Sequence, residues 1–293
     1  MEEINLQEFG KIFKEIRIGH NLHLKDIACD ELSIPQLSKF ERGESELTLG
    51  KFIIALERLN VTFEEFMYEV NYYRDSKVIG LLKKVRKYYI EKNIKGLKFL
   101  LNDIENSFYI NSKVNKLNKI LIKIKLSDIL NKKCYSAEEM NYLVDYLMSI
   151  DRWTKYELLI FGNTLEVFKN KTLIVLLREM LAKVDYYKEL SENRRYISSI
   201  LLNAFFTMVE SGEIMEAHFI KKQLLNNFFE EYECFERINY YFTDSLLKIK
   251  CDNCVNKESV ISKINLIINF MDYIECYHIA ETYRKELEKV LSN

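Results

Sequence analysis

Apolar residues recur at helical spacing along almost the whole chain, and the polar residues between them fall into short joints. Near the start the apolar positions run Leu6, Phe9, Phe13 and Ile16, then Ile27, Leu37 and Phe40, then Leu49, Phe52, Ile53, Leu56 and Leu59. Breaks lie at Gly19-His20-Asn21, Leu32-Ser33, Arg42-Gly43-Glu44-Ser45 and Asn60-Val61-Thr62. Short helices joined by tight turns over about sixty residues are how helix-turn-helix domains are built. From Ser76 onward longer helical segments follow one another, among them 154–169, 171–187, 192–211, 213–229 and 233–249. Their recurrence as pairs about every 35–40 residues predicts a solenoid of tetratricopeptide type. Ser136-Ala-Glu-Glu139 reads as a capping box, and Gly212-Glu213 with Ala217 as the tight turn inside one helical pair.

Composition sharpens this to an all-α fold. The 293 residues contain one proline and eight glycines, too few for the turns of an all-β chain, and 48% hydrophobic residues, enough for large cores. The organisation expected is a helix-turn-helix domain over 1–66, a linker over 67–76 and a helical-repeat domain over 77–293. The acidic start Met1-Glu2-Glu3 lacks the basic and apolar regions of a secretion signal. The uncharged stretch Tyr196–Val209 is shorter than a membrane span and contains Ser198, Ser199 and Asn203, so it reads as a buried helix. The expectation is a cytoplasmic protein with no membrane partner.

The stretch Leu24 to Gly43 concentrates the chemistry. Ala28 offers a small residue for a helix crossing, Ser33 is an N-cap, and Pro35 fits a first turn. Ile34, Leu37 and Phe40 share one face, which leaves Pro35, Gln36, Ser38, Lys39 and Arg42 on the opposite side for base edges or phosphates in a major groove. Lys25 lies beside that face. Ser33-x-x-Gln36 is equally a capping-box pattern, so Gln36 has two readings.

Here the sequence resembles the Cro/phage-repressor (XRE-type) helix-turn-helix family, in Arg17, Ala28, the run Ser33 to Gly43, and Leu59-Asn60-Val61-Thr62. The resemblance implies a lambda-repressor-like fold and a structural pair between Arg17 and Glu41. Leu24 replaces the usual polar first residue of the second helix, and the turn before Ser33 is one residue short. Leu32 to Ser45 is similar to the form seen in Rgg/GadR/MutR-type regulators, which join such a domain to a long helical domain. That resemblance implies a homodimeric transcription regulator of double-stranded operator DNA that senses a short hydrophobic peptide, as in quorum sensing, and alters DNA binding or RNA polymerase recruitment.

Within the repeat domain, Trp153 to Asn163 and Asn193 to Asn203 each set an Asn within an otherwise apolar helix. A buried amide without a partner costs about 1–3 kcal/mol, so each is expected to face a partner or a groove. The peptide-binding set is then Asn163 and Asn203 for ligand backbone, Tyr186 and Tyr187 for the wall, and Arg152, Arg195 and Arg237 for acidic ligand groups. Trp153 reads as a packing anchor. Interhelical hydrogen bonds for the amides and packing for the tyrosines remain open alternatives.

Charge pulls against DNA binding at one point. The net charge is −1, but residues 1–70 carry 8 Lys+Arg against 14 Asp+Glu, a net of −6. A basic footprint is the usual sign of a nucleic-acid binder. Enzyme motifs are lacking: no glycine-rich phosphate loop, no G-x-S-x-G and no H-E-x-x-H occurs, so neither an enzyme nor a cofactor is expected. Cys251-Asp-Asn-Cys254 with Cys276 and His278 offers ligand types at poor spacing. No metal is expected, a metal- or redox-responsive regulator being the alternative alongside a helical scaffold without a peptide ligand.

Overall fold

A computed structural model describes residues 6–70, 77–106, 112–184, 191–226, 230–251 and 256–292. Among these residues the fold is all-α, with a single bridge, Cys29 to Leu32, in place of any strand. The chain divides into two compact units, 1–111 and 112–293.

The first unit begins with α1 (Leu6–Gly19), α2 (Leu24–Ile27), α3 (Ile34–Glu41), α4 (Leu49–Leu59) and α5 (Phe63–Val70). Phe13, Ile27, Leu32, Leu37, Leu59 and Phe66 are fully buried in one core. Edge-on rings knit it together, with Phe52 at 5.0 Å from Phe66 and Phe13 at 5.7 Å from Phe40. Met67 and Val70 join this core, so the helical body continues past the boundary expected at 66. The small residue that permits close crossing is Gly10, not Ala28: a Cβ there would lie 1.9 Å from the Phe40 carbonyl oxygen, against the backbone of α3. Ala28 instead terminates α2 in an extended conformation. The turn is then closed by reciprocal backbone bonds of 3.0 Å between Cys29 and Leu32.

The same unit contains α6 (Lys77–Ile90) and α7 (Ile94–Asn106), packed on each other. The contact pattern therefore assigns this pair to the N-terminal unit, away from the repeat domain in which the sequence places it.

The second unit comprises α8 (Ser112–Leu130), α9 (Ala137–Ser149), α10 (Lys155–Gly162), α11 (Asn170–Lys183), α12 (Ser191–Glu210), α13 (Ile214–Asn226), α14 (Cys234–Lys250), α15 (Lys257–Tyr273) and α16 (Tyr277–Ser292). Here α8 packs on α9, α12 on α13, α14 on α15 and α15 on α16, and α12 also packs on α10 and α14. The capping box holds: Glu139 N–H donates to Ser136 Oγ at 3.2 Å and Ser136 N–H to Glu139 Oε2 at 2.9 Å. Gly212 adopts φ +77°, and Ala217 is fully buried. Trp153 is fully buried, edge-on to Phe161 at 5.3 Å, which makes it the packing anchor expected.

The helix expected over 154–169 breaks. Asn163 Nδ2 donates to the Leu159 carbonyl at 2.8 Å, and Thr164 Oγ1 donates to those of Ile160 and Phe161 at 2.9 and 3.2 Å. These side chains occupy the last carbonyls of α10 and so compete with continuation. A short 3-10 turn, Leu165–Val167, follows. No described helix is long and apolar enough to cross a membrane.

Candidate functional site: a helix-turn-helix surface and an aromatic groove

The α2-turn-α3 segment is anchored from beneath. Arg17 Nε and Nη2 donate to the two Glu41 carboxylate oxygens at 2.6 and 2.7 Å, and Nη1 donates to the Leu22 carbonyl at 2.6 Å. The Glu41 bond raises the Arg17 pKa above its ordinary value against the opposing effect of burial. This fork ties α1 to the end of α3 and to the loop before α2, which fixes how α3 is presented.

Lys25, Ser33, Pro35, Gln36, Lys39 and Arg42 are all exposed, and Ser38 is half-buried. Four of these side chains, Ser33, Gln36, Ser38 and Arg42, are engaged. Gln36 Oε1 accepts from Ser33 N–H at 3.2 Å and from Lys51 Nζ at 3.3 Å, so its carbonyl end caps α3. Arg42 donates to both oxygens of Glu44, at 2.6 and 2.8 Å, and to Ser38 Oγ at 2.5 Å. That bond from Arg42 holds the Glu44 carboxyl below the usual range.

In the second unit, alternate helices face a groove of about 440 Å³, formed by α12, α14 and α16 with the end of α10 and the turn after it. From α12 come Ser199, Leu202, Asn203, Phe206 and Thr207, one stripe at i, i+3, i+4, i+7 and i+8. From α14 come Phe235, Glu236, Asn239, Phe242 and Thr243. The two stripes share Asn-x-x-Phe-Thr, at 203–207 and again at 239–243. Tyr283 closes the floor: its ring stacks on Phe242 at 3.8 Å, and its hydroxyl donates to Asn239 Oδ1. Burial pushes the Tyr283 phenol well above its ordinary pKa, which keeps that proton in place.

Of the residues expected to hold a peptide, Asn203 lines this groove. Asn163 does not, because its amide is folded back onto α10. Arg152 is exposed and outside the groove lining. Arg195 turns to the buried carboxylate of Glu233 at 3.5 Å, which also takes Arg194 at 3.8 Å and the Glu230 N–H at 2.8 Å. Arg237 Nε donates to the Glu230 carbonyl at 3.2 Å. Tyr186 and Tyr187 lie outside the described residues. The α14 and α16 side of the groove was missed, although the repeated Asn-x-x-Phe-Thr was visible in the sequence.

Among the described residues no group of three or more His, Cys, Asp or Glu side chains could hold a metal ion. Cys254 lies outside the described residues, and Cys251 lines a separate cavity with His218, Lys221 and Lys248.

Residues 98–285, which include the whole groove, match the family model described as HTH-type transcriptional regulator Rgg, C-terminal domain. The chain belongs to the Rgg family. Among solved structures, this Rgg protein is similar to a C45S form of the Streptococcus dysgalactiae SHP pheromone receptor Rgg2, at TM-score 0.84 and 26% identity, covering 96% of this chain and 99% of that one. A protein of Listeria monocytogenes EGD-e matches at TM-score 0.83 and 20% identity over 97% of each chain. The PrgX/cCF10 complex matches at TM-score 0.71 and 17% identity, over 96% of this chain and 99% of that one. The last two establish a shared fold. The Rgg2 match spans residues of both units.

Proposed function

We propose that this chain is a cytoplasmic, homodimeric transcription regulator that binds operator DNA through α3 and senses a short hydrophobic peptide in the groove of its second unit. The observation that carries the reading is the pair of Asn-x-x-Phe-Thr stripes facing one cavity, in a chain whose 26%-identical relative is a pheromone receptor. Rings supply walls for apolar side chains, and amides and hydroxyls supply partners for an extended backbone. Binding replaces catalysis in this scheme. A peptide switches the regulator only through unequal affinity for two arrangements of its helices, with DNA binding or RNA polymerase recruitment as the output.

On the DNA side, the Gln36 carbonyl is the capping end, which leaves its NH₂ for a base edge, with Lys25 and Lys39 for phosphates. The acidity of residues 1–70 is offset within the same unit by α6, which carries Lys77, Lys83, Lys84, Arg86 and Lys87 and no acidic residue. A homodimer would present two α3 helices to half-sites one helical turn apart. The deciding experiment is selection of duplexes from a random-sequence pool by the full chain. Enrichment of a two-fold-symmetric site, lost in Gln36→Ala/Lys39→Ala with the dimer intact, is expected; a pool returned unenriched refutes the reading.

A further inference from the structure

We propose that the groove selects a ligand carrying an ammonium group, and that Glu236 is the residue that receives it. This rests on the peptide-sensing reading and assigns the charge of the peptide it takes.

Acidic peptide groups would need a cation in the groove, and none of the lining residues is Lys or Arg. Arg195 on α12 and Arg237 on α14 are turned to Glu233 and to the Glu230 carbonyl, and Arg284, next to Tyr283 on α16, pairs with Asp272. The charged groups that line the groove are the carboxylates of Glu166 and Glu236. Glu166 is neutralised by Lys125 Nζ at 2.6 Å. Glu236 has no Lys, Arg or His within ion-pair distance among the described residues.

Glu236 is half-buried in the first turn of α14. It lines the groove together with Phe235 and, one turn on, Asn239, in a wall that also contains Phe206, Phe242 and Tyr283. An ammonium placed there gains a charge-assisted hydrogen bond and aromatic faces. A carboxylate placed there meets like charge in a partly desolvated cleft, which costs affinity. Two sources present the same chemistry in a short peptide: its free α-amine and a lysine side chain.

The test is affinity selection by the full-length protein from four synthetic pools that share one randomised apolar core. The first keeps a free α-amine, the second is N-acetylated with one lysine, the third is N-acetylated without lysine, and the fourth is N-succinylated. Retained peptides are identified by mass spectrometry. The expected result is at least about ten-fold enrichment of an ammonium-bearing pool over the acetylated and succinylated ones, with the first two pools telling α-amine from lysine. Glu236→Gln is expected to erase that preference and Glu236→Asp to retain part of it, both with unchanged far-ultraviolet circular dichroism. Equal or greater retention of the succinylated pool, or a preference that survives Glu236→Gln, overturns the proposal while leaving peptide sensing intact. Retention of no pool overturns peptide sensing and the proposal with it.

Discussion

Arg17 on α1 and Glu41 at the end of α3 form a two-pronged ion pair in which the side chains are 9% and 5% exposed. Removing one partner strands the other charge in the core, whereas a well-packed apolar pair avoids both desolvation costs. Arg17→Ala or Glu41→Ala should each destabilise the N-terminal unit by about 3–5 kcal/mol. Arg17→Met/Glu41→Leu should regain most of that loss. Urea unfolding followed by circular dichroism measures all three, and a single variant within about 1 kcal/mol of the parent would contradict the account.

Gly10→Ala probes the same helix crossing by sterics instead of charge. Its Cβ would sit 1.9 Å from the Phe40 carbonyl oxygen, a backbone atom that cannot rotate aside. The helices must separate, at a cost of about 1–3 kcal/mol, with loss of the Arg17 fork geometry and of DNA binding. Gly50→Ala, on an open helical surface, should be neutral or slightly stabilising. A lowered thermal midpoint for the first variant alone would bear this out.

Glu44 restrains Arg42. Its carboxyl pKa is depressed by the bond from Arg42, so the clamp persists through neutral pH and opens only when acid protonates Glu44 below the ordinary carboxylate range. Both groups are exposed, so the pair contributes little to stability. Glu44→Gln should free the guanidinium for phosphate and steepen the dependence of log K on log salt by about one. Arg42→Ala should lower affinity. Anisotropy of a labelled duplex across a salt series reads both, and an unchanged slope for Glu44→Gln would exclude a phosphate contact by Arg42.

Asn203 and Asn163 should separate in a binding assay. Asn203 faces the groove, whereas Asn163 is spent on the Leu159 carbonyl. Asn203→Ala should weaken a bound peptide about ten-fold by removing a hydrogen-bonding amide. Asn163→Ala should leave affinity near the parent value. Calorimetry with a peptide recovered by selection gives the comparison, and equal losses would place both amides on the ligand.

Arg195→Ala should act on stability alone. Its partner Glu233 is buried, and Arg194 and the Glu230 N–H remain to hold it, so the loss should stay near 1 kcal/mol. Peptide affinity should be unchanged, since Arg195 lies outside the groove lining.

The sequence by itself determined the all-α fold, the Ser33 N-cap, the Arg17–Glu41 pair and the family resemblance at Leu32–Ser45. Period, caps and turns are local, written within a few residues, whereas the pair joins residues 24 apart and followed from the family resemblance. It also determined that Trp153 packs and that Gly212 turns. Tertiary structure alone decided that Gly10, not Ala28, sits at the crossing with α3, because close approach depends on two helices far apart in sequence. It decided which arginines meet Glu233 and the Glu230 carbonyl, and so turned a groove expected to be cationic into one lined by carboxylates. It also set Asn203 and Asn239 on one cavity and folded Asn163 back on its own helix. A side chain's choice between ligand, neighbour and its own backbone is made by packing, and periodicity carries no record of it.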